Sequence, residues 1–193
     1  NVRFFEENIP IRLPFLGECN IYNALAAIAT GCSLGVTSSD IQDGIRDAKL
    51  LSNRYEVVEH EGATIINDSY NANPRSMQEA LKTLASYQCE GRRFFVVGDM
   101  LELGDLAKGA HTSLGVDVAR YSIDYLVGVG DLSVHVVKSA VASGLNKKHT
   151  ATASNHKCAV SFLKKYVRPG DCLLVKGSRG VRMEEVVDGF IAC

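Results

Sequence analysis

Apolar positions along the first fifty residues recur at helical spacing. In "NIYNALAAIAT", Asn20 to Thr30, residues Ile21, Leu25, Ala26 and Ile28 share a face, and the alanines between them favour a helix. "TSSDIQDGIRDA" repeats the signal with Ile41 and Ile45, and Ser38 or Ser39 is the expected cap. The stretch before them, "NVRFFEENIPIRLPFLG", reads as an extended lead-in that begins in mid-course, as a fragment would. An extended segment and two helices hold too little strand for an independent α/β domain.

After "SNRYEVVEHEGA" the rhythm changes. "TIIND", "RRFFVVGDM", "YLVGVG", "TATAS" and "DCLLVKGS" are short apolar runs that predict strands. The stretches "PRSMQEALKTLASY", "HTSLGVDVARYS", "LSVHVVKSAVASG", "NHKCAVSFLKKYV" and "GVRMEEVVDGFIA" predict the helices that follow them. Pro74 suits a first helical turn with Asn73 as its cap, and Gly144 suits a helix end. Parallel strands need crossover connections, so this alternation predicts an α/β fold with a doubly wound, mostly parallel, Rossmann-like sheet. The change of rhythm divides the chain into residues 1–52 and 53–193.

In such sheets ligands bind beyond the carboxyl ends of the strands. The polar groups "NDSYNAN", "GDMLELG", "GVGD" and "KGSRG" all fall there. Asp68 can accept two hydroxyl donors, which suits a ribose diol, and Asn71 offers a donor and an acceptor to a heterocycle edge. Asn and Asp also build turns and caps. Asn73 is read as a cap, while for Asp68, Tyr70 and Asn71 both readings stay open. In "VKGSRG", Gly177 permits close approach, and a helix start with Lys176 and Arg179 would suit a carboxylate or phosphate. A plain strand-to-helix turn with surface cations accounts for the same residues. "VGVGD" lacks the third glycine of a dinucleotide fingerprint and reads as a tight turn. His111 has no nucleophile or metal partner nearby in sequence and reads as structural. The 193 residues contain no G-x-x-x-x-G-K-[ST], the loop that cradles a triphosphate.

Composition narrows the classes. Hydrophobic content of 46% with 22% charged residues is that of a globular chain. A net charge of −1 gives no electrostatic reason to propose nucleic acid or a polyanionic membrane. Six cysteines without a C-x-x-C pair support neither a zinc site nor a disulfide framework, and reduced thiols point to the cytoplasm. No apolar run is long enough to span a bilayer.

The blocks "LPFLGECNIYNALAAIA", "NRYEVV", "INDSYNANPRSMQEAL", "VVGDMLELG" with His111 after it, and "LLVKGSRGVRMEEVV" resemble, in this order, the carboxyl-terminal portion of the Mur ligases. The resemblance covers nearly the whole chain. It implies that residues 1–52 are the helical tail of a central ATPase domain and that 53–193 form the last domain, which binds the amine substrate and closes over ATP. Within the family, "DSYNANP", "GDMLELG" and "KGSR" followed by Met-Glu resemble the member that adds D-Ala-D-Ala to UDP-N-acetylmuramoyl-tripeptide through an acyl phosphate, in peptidoglycan precursor synthesis. The implied ATP contacts are Asn20, Asn23, Arg54, Asp68, Tyr70 and Asn71. Cys19 stands where the family has histidine, and Asn53 where it has glycine. Lys176, Ser178, Arg179, Asp99 and Glu102 are the implied D-Ala-D-Ala contacts. The resemblance implies ATP and Mg2+ as cofactors, with phosphate loop and metal ligands outside these residues. No catalytic or metal-binding residue is therefore expected in this chain, and no ligase activity from it alone. A cytoplasmic monomer is the expected state. The alternatives are a related Mur-type or folylpolyglutamate ligase, and a non-catalytic domain that binds a nucleotide or partner.

Overall fold

The computed structural model describes residues 2–4, 7–49 and 51–192, in two compact units that divide between Leu51 and Ser52. In the first unit, β1 (Val2–Phe4) pairs antiparallel with β2 (Glu7–Ile9). Two helices follow, α1 (Glu18–Ser33) and α2 (Ser38–Asp47). Ile28 of α1 packs with Ile41 and Ile45 of α2, the residues whose spacing predicted the helices. The cap of α2 is Thr37 rather than Ser38 or Ser39. Its hydroxyl accepts the Asp40 amide at 3.2 Å and donates to the Asp40 carboxylate at 2.6 Å. The helix therefore starts one turn position earlier, and both serines lie inside it.

The second unit contains β3 (Glu56–His60), β4 (Ala63–Asn67), α3 (Pro74–Ser86), β5 (Arg93–Gly98), α4 (Ala107–Arg120) and β6 (Tyr125–Val129). It continues through α5 (Ser133–Ala142), β7 (Thr150–Ala153), α6 (His156–Tyr166), β8 (Cys172–Lys176) and α7 (Glu184–Ile191). The six strands form one sheet in the order β3-β4-β8-β5-β6-β7, parallel except for β3. Strand β3 was not among the expected strands. It is a half-exposed edge whose only apolar residues are Val57 and Val58, and it joins β4 through Glu61 and Gly62. Both turn residues have positive φ, 49° and 77°, as a two-residue hairpin with native strand twist requires.

Successive residues of the inner strands point to opposite faces, and both faces are covered, so these strands read as unbroken apolar runs. Ile65, Phe94, Val96, Leu173 and Val175 pack against Ala159, Val160 and Leu163 of α6 and Val186, Val187 and Phe190 of α7. The alternate residues Ile66, Phe95 and Leu174 are also fully buried, on the side carrying α3, α4 and α5. Burial pushes the Cys172 thiol up to about 12, which makes it an inert member of this core. The last strand of the chain, β8, thus enters between β4 and β5. This insertion brings the end of the chain beside the "NDSYNAN" loop.

Candidate nucleotide and substrate site

The carboxyl tips of β4 and β8 are adjacent because Asn67 pairs with Val175 in register. The Asp68 amide continues that ladder to the Val175 carbonyl at 2.9 Å. The next residue on β8 is Lys176, and its ammonium meets Asp68 Oδ2 at 2.5 Å. The two side chains are only 5% and 7% exposed, Lys176 and Asp68 respectively. Lys176 Nζ also donates to the Asn71 carbonyl at 2.9 Å and lies 3.4 Å from the Asp68 carbonyl. Burial pushes the Asp68 carboxyl above its usual range, against the pull of Lys176, the Tyr55 amide and Arg54. The "NDSYNAN" loop and the "KGSRG" turn therefore lie at the same end of the sheet. Lys176, however, is a buried partner of Asp68 rather than an open cation at a helix mouth.

The helix mouth itself is displaced. After Lys176 the chain makes a 3-10 turn, Arg179–Val181, and passes through left-handed Arg182 (φ 55°) before α7 opens at Glu184. The amides near Gly177 are thus not the free first turn of a helix. Ser178 N donates to the Asp99 carbonyl at 3.0 Å, and Arg179 N lies 3.4 Å from Asn71 Oδ1.

Ser178 is buried and ties three tip loops together. Its hydroxyl donates to the Ala72 carbonyl at 3.2 Å and accepts the Leu101 amide at 2.9 Å. Asp99, also buried, accepts the amides of Leu132 and Ser133 at 3.1 and 2.6 Å. The Ser178 hydroxyl and Asp99 Oδ1 are thus engaged inside the protein. So is His111: Nε2 accepts the Met100 amide at 3.0 Å, which leaves the proton on Nδ1 for the Ala107 carbonyl at 2.7 Å. Its helix starts at Ala107, four residues before the expected boundary.

Other members of the set stay open to solvent. Tyr70 is exposed, with the Arg54 guanidinium 4.0 Å and that of Arg179 5.7 Å from its ring centre. Asn71 is exposed, and its Oδ1 accepts the Ala72 amide at 2.8 Å. Arg179 reaches Glu184 at 3.6 Å. Exposed Glu102, at φ 63°, makes no hydrogen bond or ion pair among the described residues. Glu184 was not among the expected site residues, and its Oε2 is buried without a hydrogen-bond partner among the described residues. Asn67 was not singled out either. It accepts from Ser69 Oγ at 2.7 Å and donates to Asn53 Oδ1 at 2.9 Å, which links the loop before β3 to the end of β4.

In the first unit, Asn20 Nδ2 donates to the Leu16 carbonyl at 2.7 Å, and Asn23 Nδ2 donates to Asn20 Oδ1 at 3.2 Å. Both line a groove of about 360 Å³ with Phe15, Ile28, Ile41 and Ile45. Cys19 beside them is exposed. Among the described residues no group of three or more His, Cys, Asp or Glu is placed to hold a metal ion, and no helix is long and apolar enough to cross a membrane.

Comparison with known proteins agrees with this architecture. Residues 53–179 match the family described as Mur ligase, glutamate ligase domain. The UDP-N-acetylmuramoyl-tripeptide–D-alanyl-D-alanine ligase of Bacillus subtilis is 34% identical over 93% of the chain, which spans 39% of that protein. A MurF crystal structure from Acinetobacter baumannii superposes with a TM-score of 0.84 at 32% identity, covering 95% of this chain and 40% of that one. The MurF ligase of Thermotoga maritima, solved in complex with ADP, superposes at 0.78 with 25% identity over 92% of this chain and 39% of its own.

Proposed function

The chain belongs to the Mur ligase family, and from that membership we propose that it is the part of an ATP-dependent ligase that holds the ribose of ATP and the incoming D-Ala-D-Ala. The full protein would join this dipeptide to UDP-N-acetylmuramoyl-tripeptide in the cytoplasm, with Mg2+ held by groups outside the described residues. ATP, when bound, supplies the phosphoryl group that activates the acceptor carboxylate.

The observation that carries the reading is the Asp68 carboxylate at the tip of β4, flanked by an exposed aromatic ring and two exposed guanidinium groups. A carboxylate offers about four acceptor positions. Lys176 and the Tyr55 amide use part of that capacity, and the remainder suits the paired hydroxyls of a ribose. Tyr70 and Asn71 would complete this side, with Arg54 near the phosphates. Asn20 and Asn23 of the first unit keep the adenine role that the family resemblance implies for them. Arg179 is the exposed cation suited to the dipeptide carboxylate, and Glu102 and the unpartnered Glu184 Oε2 are acceptors suited to its amine. These groups act by positioning reactants rather than by bond chemistry.

The test is phosphate release by the full-length protein with UDP-N-acetylmuramoyl-tripeptide and ATP. Release that depends on D-Ala-D-Ala supports the reading, and release driven only by glutamate or another amino acid overturns it. The 193-residue chain alone, which contains no G-x-x-x-x-G-K-[ST] loop, is expected to give no turnover.

A further inference from the structure

The geometry points to Lys176 as a positioning residue that holds Asp68 and its loop for the nucleotide, and not as a contact for the amine substrate. This rests on the reading of Asp68 as the ribose carboxylate. An ammonium has three donors and no acceptor. Among the described residues, the oxygens hydrogen-bonded to Lys176 Nζ belong to the loop between β4 and α3: Asp68 Oδ2 at 2.5 Å, the Asn71 carbonyl at 2.9 Å and the Asp68 carbonyl at 3.4 Å. The side chain is 5% exposed. A substrate carboxylate at Nζ would have to expel one of these oxygens and would place a second anion beside Asp68, which is unfavourable in a buried site. Arg179, one turn further on, is exposed and lies 3.6 Å from Glu184, so an incoming anion can reach it from solvent without expelling a buried partner.

The contacts of Lys176 also explain what it does instead. It grips one carboxylate oxygen of Asp68 and the carbonyl of Asn71, on either side of Tyr70 in the chain. The ring of Tyr70 and the second oxygen of Asp68 are thereby fixed together. The charged groups that bear on Asp68 are Lys176 on β8 and Arg54 on the loop before β3, with the Tyr55 amide beside them. Without the ammonium, burial favours the protonated acid, and one of its oxygens becomes a donor where a diol needs acceptors. Lys176 therefore bears on nucleotide affinity through the ionisation and orientation of Asp68.

The experiment uses the full-length ligase and the variants K176M, D68N and D68N/K176M. Nucleotide affinity is read by equilibrium titration with a fluorescent ATP analogue, and the KM for D-Ala-D-Ala is read separately. K176M should weaken the nucleotide by about tenfold or more, the scale expected when one partner of a buried charge pair is removed. The loss should shrink as pH rises and Asp68 ionises again, while the dipeptide KM changes by less than about twofold. Should K176M fail to fold, the neutral pair in D68N/K176M carries no uncompensated buried charge and keeps the test alive. Compared with D68N alone, the double variant should show no further loss of nucleotide affinity. A further loss there, a rise in dipeptide KM in either background, or unchanged nucleotide affinity in K176M overturns the proposal. If wild-type protein binds the analogue but does not use D-Ala-D-Ala, the substrate reading fails while the effect of Lys176 on the nucleotide is still measured.

Discussion

The Asp99 carboxylate accepts the Ser133 amide at 2.6 Å and the Leu132 amide at 3.1 Å, so the loop after β5 caps a helix that begins beyond the next strand. No side chain of α5's own N-terminus caps it: Leu132 is the cap residue, and the Ser133 hydroxyl turns back to the Gly130 carbonyl. The negative charge also complements the positive end of the helix. Gly130, at φ 110°, leaves the space: a Cβ there would stand 2.6 Å from Asp99 Oδ2.

Removing this cap should destabilise the second unit. D99A is expected to cost about 1–2 kcal/mol, the scale of a lost helix cap. D99N should cost less, since the amide oxygen still accepts. Urea unfolding followed by circular dichroism gives the order wild type, D99N, D99A. Equal stability of D99A and wild type would remove the cap from the account.

The turn before β3 yields a second expectation. Asn53 adopts φ 63°, a left-handed conformation that glycine, asparagine and aspartate tolerate best. Its side chain accepts from Asn67, and its carbonyl accepts the Tyr70 amide at 3.0 Å. N53G keeps the backbone freedom and loses one hydrogen bond. N53A loses the bond and adds left-handed strain, so it should be less stable than N53G by about 1 kcal/mol. Thermal unfolding of the two variants decides, and a tie would mean that the turn relaxes elsewhere.

These two sites also mark where the sequence was and was not legible. The strands β5, β6 and β8 were readable because burial on both faces makes them continuous apolar runs. Strand β3 was not, because an edge strand needs only one partner and one covered face. Asn73 was readable as a cap since its helix follows at once, and Ser76 completes the reciprocal bond. The cap at Asp99 was hidden because its partners lie beyond an intervening strand and helix. The same limit applies to Lys176. Its residue type and place beside Gly177 suggested an open cation, and only the insertion of β8 next to β4 brings it against Asp68. Contacts set by strand order leave no local periodicity to read.

Asp68 provides the last expectation, a dependence of stability on pH. Burial is the largest influence on its carboxyl and raises the pKa, while Lys176, the Tyr55 amide and Arg54 lower it. With the folded value above the unfolded one, the folded state binds this proton more tightly than the unfolded chain. The contribution to stability is then fully present below the unfolded value, about 3.9, and is lost as pH rises through the folded value. D68N abolishes this linkage, so wild-type stability relative to D68N should fall as pH climbs from about 4 and level off once the folded group has ionised. Urea unfolding of both proteins across that range measures the difference free of other titrating groups that they share. A difference that grows in favour of wild type with rising pH would mean that Lys176 outweighs burial. K176M supplies the check on cause: with the ammonium gone, the carboxyl should hold its proton to higher pH, and the levelling should move the same way.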